Sequence, residues 1–152
     1  MELKRQQIEI RKNQEQNEKM SLQMIQTLST TIEAKDAYTC GHSYRVAQYA
    51  ALIAEELGWT PKEILNLKRA THLHDIGKIG IDEAILNKPG KLTAEEFAVI
   101  KTHSMLGAEM LQKTESFADQ PLLQTAYEIA RWHHERWDGK GYPDGLKGDD
   151  IP

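Results

Sequence analysis

Residues 60–80 read TPKEILNLKRATHLHDIGKIG, and most of the fold follows from this stretch. Thr60-Pro61-Lys62-Glu63 combines a helix N-cap, a proline at the first helical position and a reciprocating glutamate. The helix opened there runs towards His74. Beyond it, Gly80, Pro89 and Gly90 predict a loop over residues 79–92 with one short turn. Thr93-Ala94-Glu95-Glu96 forms a second capping box, and Phe97, Ile100, His103 and Gly107 fall on one stripe of its helix. A further helix after Pro121 carries Leu122, Ala126, Ile129, Ala130 and His133 on one stripe. Upstream, the chain turns at Tyr38-Thr39-Cys40-Gly41 and re-enters helix near His42, with Val46, Ala50, Ile53 and Leu57 as the expected buried face. No segment alternates like a strand for long. The fold class is therefore all-α.

The chain divides into a helix over residues 1–35 and a domain over residues 36–152. The first part holds no Gly or Pro, and its apolar residues include Leu3, Ile10, Met20, Met24, Leu28 and Ile32. Leu3, Ile10 and Met24 share a seven-residue spacing that Asn17 interrupts. This reads as a long amphipathic helix, either paired with a second copy as a coiled coil or packed as a solvated helix on the domain. Pairing makes a homodimer through residues 1–35 the expected assembly.

Composition excludes several classes. With 39% hydrophobic and 28% charged residues over 152 positions, the chain reads as one ordinary globular domain. No apolar run spans a bilayer and the start resembles no signal peptide, so a cytoplasmic address is expected. A single cysteine, Cys40, rules out an internal disulfide. The net charge of −4 argues against a nucleic-acid duplex as partner. A phosphate-bearing ligand would need local positive charge.

The six histidines all lie between residues 42 and 134. A single histidine on an apolar face is more often a satisfied core residue than a ligand. Five that four helices can bring together, His42, His74, His103, His133 and His134, are another matter, because burying that many imidazoles without a partner is costly. Imidazole and carboxylate ligands suit iron, manganese or zinc. Asp75 is the informative neighbour: a carboxylate can bridge two cations, and two close cations can bind both a phosphoryl oxygen and its attacking nucleophile. His72, two residues before His74, points elsewhere on the helix and reads as a bystander.

His74-Asp75-Ile76-Gly77-Lys78-Ile79-Gly80, Asn87-Lys88-Pro89-Gly90, Ile100-Lys101-Thr102-His103, His133-His134-Glu135-Arg136-Trp137-Asp138-Gly139 and Gly141-Tyr142-Pro143 follow one another along the chain. This series resembles the successive signatures of the HD-GYP family of metal-dependent phosphohydrolases. Gly41-His42-Ser43-Tyr44-Arg45-Val46 is similar to the segment that supplies the first histidine of that superfamily. The resemblance covers about residues 33 to 152.

It implies a multihelical bundle that hydrolyses a cyclic dinucleotide such as cyclic di-GMP with a metal-bound hydroxide, in bacterial second-messenger signalling. It implies metal ligation by His42, His74, Asp75, His103, His133 and His134. Catalytic roles fall on Asp75 and Lys78, and substrate contacts on Lys78, Asp36, Arg45 and Tyr142. Two divalent ions, iron or manganese, are expected rather than three, because Tyr38 stands where some relatives carry a further glutamate. The family also continues into a helix bearing one more aspartate, which no residue up to Pro152 matches. The domain is thus expected to lack its C-terminal part, and this chain alone to hydrolyse little.

The tail from Asp138 to Pro152 holds four of the ten glycines and reads as a functional loop. The resemblance implies docking of a diguanylate cyclase domain through residues 138–151. The competing reading is a module that binds nucleotide or that cyclase without turnover.

Overall fold

The computed structural model describes residues 2–152 and contains helices and turns, with no strand among the described residues. Seven α-helices follow in order: α1 (Glu2–Lys35), α2 (His42–Glu56), α3 (Pro61–Thr71), α4 (Glu83–Leu86), α5 (Ala94–Lys101), α6 (His103–Gln112) and α7 (Pro121–Trp132). A 3₁₀ helix over Ile76–Gly80 follows α3. No helix among the described residues is long and apolar enough to cross a membrane.

Local signals place the helix starts. Thr60 and Glu63 close a reciprocal capping box on α3, and Thr93 and Glu96 do the same on α5. The start of α2 is capped from outside. Its N-cap residue, Gly41, has φ 66° and no side chain, so the Glu33 carboxylate of α1 accepts from Gly41 N–H at 2.7 Å and Ser43 N–H at 2.6 Å. Burial opposes the charge of Glu33, but these bonds outweigh it and lower its pKa.

The core sits where α3, α6 and α7 meet. Ala70, Leu73, Leu111, Ala126 and Ala130 form it, with Ile25, Ile76, Leu122, Leu123, Tyr127 and Ile129 packed around them. Alanines at the crossings let helix backbones approach closely, so groups at the helix ends converge on one end of the bundle.

Three expectations need correction. On α2 the buried stripe is Ser43, Ala47, Ala51 and Ala54, while Ile53 and Leu57 are 61% and 70% exposed. The small residues face α3 because they permit the closer approach; the larger ones face outward. Phe97 is also exposed, with the Lys101 ammonium 5.3 Å from its ring centre. The helix opened at Thr93 breaks at Thr102 into α5 and α6, where the Thr102 hydroxyl donates to the Val99 carbonyl at 2.7 Å. The one short turn expected in the loop over 79–92 is present as α4, capped by Asp82.

One contact positions the site. A Cβ at Gly77 would lie 1.9 Å from the His103 carbonyl oxygen and 2.5 Å from the Gly107 nitrogen. Neither atom can swing away, since both belong to the α6 backbone. Gly77→Ala is therefore expected to cost about 3 kcal/mol or more of unfolding free energy, at the severe end for overpacking. Urea denaturation checks this, and a cost below about 1 kcal/mol would contradict so close an approach.

Candidate metal centre

His42 starts α2 and His74-Asp75 lies in the turn after α3; His103 starts α6, and His133-His134 follows α7. The structure brings all six side chains together. Ring centres lie 5.3 Å apart for His42 and His74, 5.1 Å for His74 and His133, and 5.3 Å for His103 and His133. His134 is 5.1 Å from His103 and 4.1 Å from His133. His103 is 1% exposed, which explains why its helix must arrive with no side chain at Gly77 in the way.

Backbone carbonyls orient the rings. His74 Nδ1 lies 2.9 Å from the Thr71 carbonyl, His103 Nδ1 2.6 Å from that of Ile100, and His133 Nδ1 3.0 Å from that of Ile129. A carbonyl can only accept, so each Nδ1 carries a proton and each ring turns its Nε2 inward, where it donates to Asp75 when protonated and can ligate a cation when not.

The ligand atoms separate into two groups, His42-His74-Asp75 and His103-His133-His134, each with members within 4.8 Å of one another. Asp75 joins them. Its Oδ2 lies 3.2 Å from His74 Nε2, and its Oδ1 lies 3.3 Å from His103 Nε2 and 3.7 Å from His133 Nε2.

This donor set fits divalent cations. The Nε2 atoms of His103 and His133 face each other at 3.4 Å, and with both Nδ1 protons committed to carbonyls only an added proton or a cation can sit between them. A nitrogen and oxygen set without thiolate suits iron, manganese or zinc.

Electrostatics point the same way. Burial opposes the charge of Asp75, but hydrogen bonds from His103, His133 and His74 outweigh it and hold the carboxyl well below the usual carboxylate range. Burial, then the neighbouring His133 and His103, push His134 down to about 3. His42 is lowered by burial and then by His74.

These shifts predict acid sensitivity. A histidine with a folded pKa below its unfolded value near 6.5 binds protons more readily when unfolded. Its favourable contribution is complete above that value and is lost as pH falls towards 3. The lowered carboxyl of Asp75 adds its own loss below about pH 4. The metal-free chain should therefore melt at a lower temperature at pH 5 than at pH 7.5, and His134→Gln should narrow that gap. Equal melting temperatures at the two pH values would contradict the assignment.

Lys78 borders the cluster. Its Nζ lies 2.8 Å from Asp75 Oδ2 and 2.8 Å from Asp36 Oδ2. Burial opposes its charge, yet Asp75 and Asp36 raise its pKa, so it remains an ammonium at neutral pH. Asp36 is 6% exposed and also accepts from Tyr38 N–H at 3.1 Å. Tyr142 stacks on His134 with centres 4.5 Å apart at 21°. Burial, then the charge of Asp75, push its hydroxyl up to about 12. Arg45 is exposed on the first turn of α2 and reaches only the Cys40 carbonyl, at 3.3 Å. His72 is buried but stands outside both ligand groups.

The loop after His134 is tied back to α7. Asp144 receives both Arg131 and the Trp132 indole, and Glu135 accepts from the Asp144 and Gly145 N–H groups. At Gly141 a Cβ would fall 2.5 Å from the Arg136 nitrogen, so only glycine lets the loop lie against the helix end.

Asn87 stands in the family series, but no role could be read from the sequence for it or for Glu33 and Lys35. The Lys35 ammonium donates to the carbonyls of Lys78, Ile79 and Ile81. The Asn87 amide donates to the Lys35 carbonyl at 2.7 Å and its oxygen accepts from Ala37 N–H at 3.0 Å. These partners lie 43 to 52 positions apart in the chain, beyond any local pattern.

The sequence model of one known family, described as HD domain, matches residues 26–152, which include every residue of the cluster. The chain belongs to the HD domain family. This HD domain is similar to a cyclic di-GMP phosphodiesterase of Thermotoga maritima, 45% identical over 130 residues, or 86% of this chain and 34% of that protein. It is similar to the 3'3'-cGAMP-specific phosphodiesterase 2 of Vibrio cholerae, 42% identical over 132 residues, 87% of this chain and 24% of that protein. It also resembles the cyclic di-GMP phosphodiesterase response regulator RpfG of Xanthomonas campestris, 41% identical over 135 residues, 89% of this chain and 35% of that protein. The HD domain chain thus spans between 24% and 35% of the length of these relatives.

Proposed function

We propose that this HD domain forms the catalytic centre of a metal-dependent phosphodiesterase that opens a 3′–5′ cyclic dinucleotide, cyclic di-GMP or 3'3'-cGAMP. The observation that carries the reading is the Asp75 carboxylate, which turns one oxygen to each of two ligand groups beside a charged lysine. The similarity to phosphodiesterases named for these substrates supports the substrate class.

His42 and His74 would hold one divalent ion and His103, His133 and His134 the other, with Asp75 shared; iron or manganese suits this set. When bound, such ions supply Lewis-acid stabilisation of a phosphoryl oxygen and make water a stronger nucleophile. The residues of the chain do the rest. Backbone-anchored Nδ1 atoms keep the imidazoles oriented, so little rearrangement accompanies the reaction. Lys78 turns its ammonium on a phosphate oxygen and offsets the charge that develops there. Asp36 holds Lys78 and borders the same phosphate. Tyr142, with one ring face on His134, offers its rim to a base, and Arg45 offers an exposed guanidinium to the outer half of the substrate.

Two assemblies belong to the same proposal. The outer stripe of α1, with Met20, Met24, Thr27 and Thr31 exposed, pairs with a second copy. Residues 138–151, beside the 71% exposed ring of Trp137, dock a diguanylate cyclase domain.

The direct test is chromatography of cyclic di-GMP and 3'3'-cGAMP after incubation with the iron- or manganese-loaded protein that carries this chain. A linear dinucleotide or mononucleotides should appear, and a chelator should stop their formation. No product from either substrate at full metal occupancy would overturn the reading.

A further inference from the structure

Lys78 is held at both ends by two consecutive residues, Lys35 at the end of α1 and Asp36 immediately after it. Asp36 binds its ammonium at 2.8 Å. Lys35 binds its backbone carbonyl at 3.2 Å and reaches on to the carbonyls of Ile79 and Ile81. These carbonyls close the 3₁₀ helix, which ends without a backbone partner of its own for every acceptor, and a cation suits that end. Lys35 is itself fixed, because its backbone carbonyl receives the Asn87 amide. Two residues earlier, Glu33 caps the helix that begins with His42. The last turn of α1 therefore grips the element bearing Lys78 and the element bearing His42 at once.

We propose that Lys35 is a positioning residue for Lys78, and that through it the phosphate-facing ammonium takes its place from the end of α1. The assignment rests on the phosphodiesterase reading for what Lys78 does, but not for how Lys78 is held. Lys35 touches neither the ligand cluster nor a substrate phosphate; it acts through the backbone of residues 78–81. A shift of α1 along or about its axis moves both restraints on Lys78 together.

Two measurements test this, one of them independent of activity. The first is labelling of lysines with an amine-reactive reagent, read by mass spectrometry on the folded, metal-loaded protein. In the native protein the Lys78 side chain is only 13% exposed and should label slowly. In Lys35→Met its labelling should rise about tenfold, as expected when several restraining hydrogen bonds are lost, while Lys88, paired with Glu96 elsewhere, keeps its rate. Lys35→Arg should restore slow labelling. Lys35→Gln, with a shorter donor, should give a smaller rise and serves if Lys35→Met fails to fold. Unchanged Lys78 labelling, or an equal rise at every lysine, overturns the proposal.

The second is turnover of cyclic di-GMP in a double-mutant cycle. Lys35→Met should lower kcat by about tenfold, since small misplacements of a catalytic group are costly, with metal content retained. The same change made on Lys78→Ala should cost nothing further, because the two act as a unit. A full loss in the Lys78→Ala background would show that Lys35 works by another route. If the native protein turns over no cyclic dinucleotide, the phosphodiesterase reading fails, and labelling alone decides the role of Lys35.

Discussion

Replacing Asp75 by alanine should empty both metal positions together, whereas replacing any one histidine should weaken mainly its own. Asp75 is the only cluster residue with an oxygen turned to each ligand group. It is also the only carboxylate in those groups, so nothing else there offsets the charge of two divalent ions. Without it, five imidazoles and the Lys78 ammonium surround the site, and the ammonium repels any cation. Turnover should fall by more than about a thousandfold, beyond the usual worth of one transition-state hydrogen-bond donor. Elemental analysis of Asp75→Ala and His134→Ala, prepared side by side, separates the outcomes. Full occupancy of one position in Asp75→Ala would mean that its carboxylate serves a single ion.

Lys78→Ala should show the converse: metal retained, chemistry lost. The ammonium lies 2.8 Å from Asp75 and is kept protonated by Asp75 and Asp36, so it cannot serve as a metal ligand. Its removal frees the charge of Asp75 for the cations, so metal content should hold or rise. What disappears is a fixed positive charge aimed at developing phosphoryl charge, worth about a hundredfold to a thousandfold in kcat. The substitution also leaves Asp36, 6% exposed, without its counter-ion, and some stability will go with it. Lys78→Met fills more of the vacated space and keeps the comparison clean. Kinetics at saturating metal decide the matter; an unchanged kcat/KM would remove Lys78 from the catalytic machinery.

Much of this was legible in the sequence, and the reasons differ by residue. The capping boxes at Thr60 and Thr93 were readable because capping is local chemistry. The histidines were readable because their spacing follows helix ends, and the all-α class because no segment alternates. The buried face of α2 was not, because hydrophobicity favours Val46, Ile53 and Leu57, while close packing favours Ser43, Ala47, Ala51 and Ala54. Gly77 stands inside the motif, but its reason for being glycine is the α6 backbone, which arrives from 26 positions further on, at His103. Lys35 and Glu33 read as solvated charges at the end of a polar helix. Their partners are backbone groups, which carry no signature in any sequence.

A pair of ions joined through Asp75 would be seen most directly by anomalous X-ray scattering from crystals of the manganese-loaded protein. Two peaks are expected, about 3.5–4 Å apart as in other two-metal sites. One should lie among His42, His74 and Asp75, and the other among His103, His133, His134 and Asp75. A single peak, or a pair that Asp75 does not touch, would contradict the account.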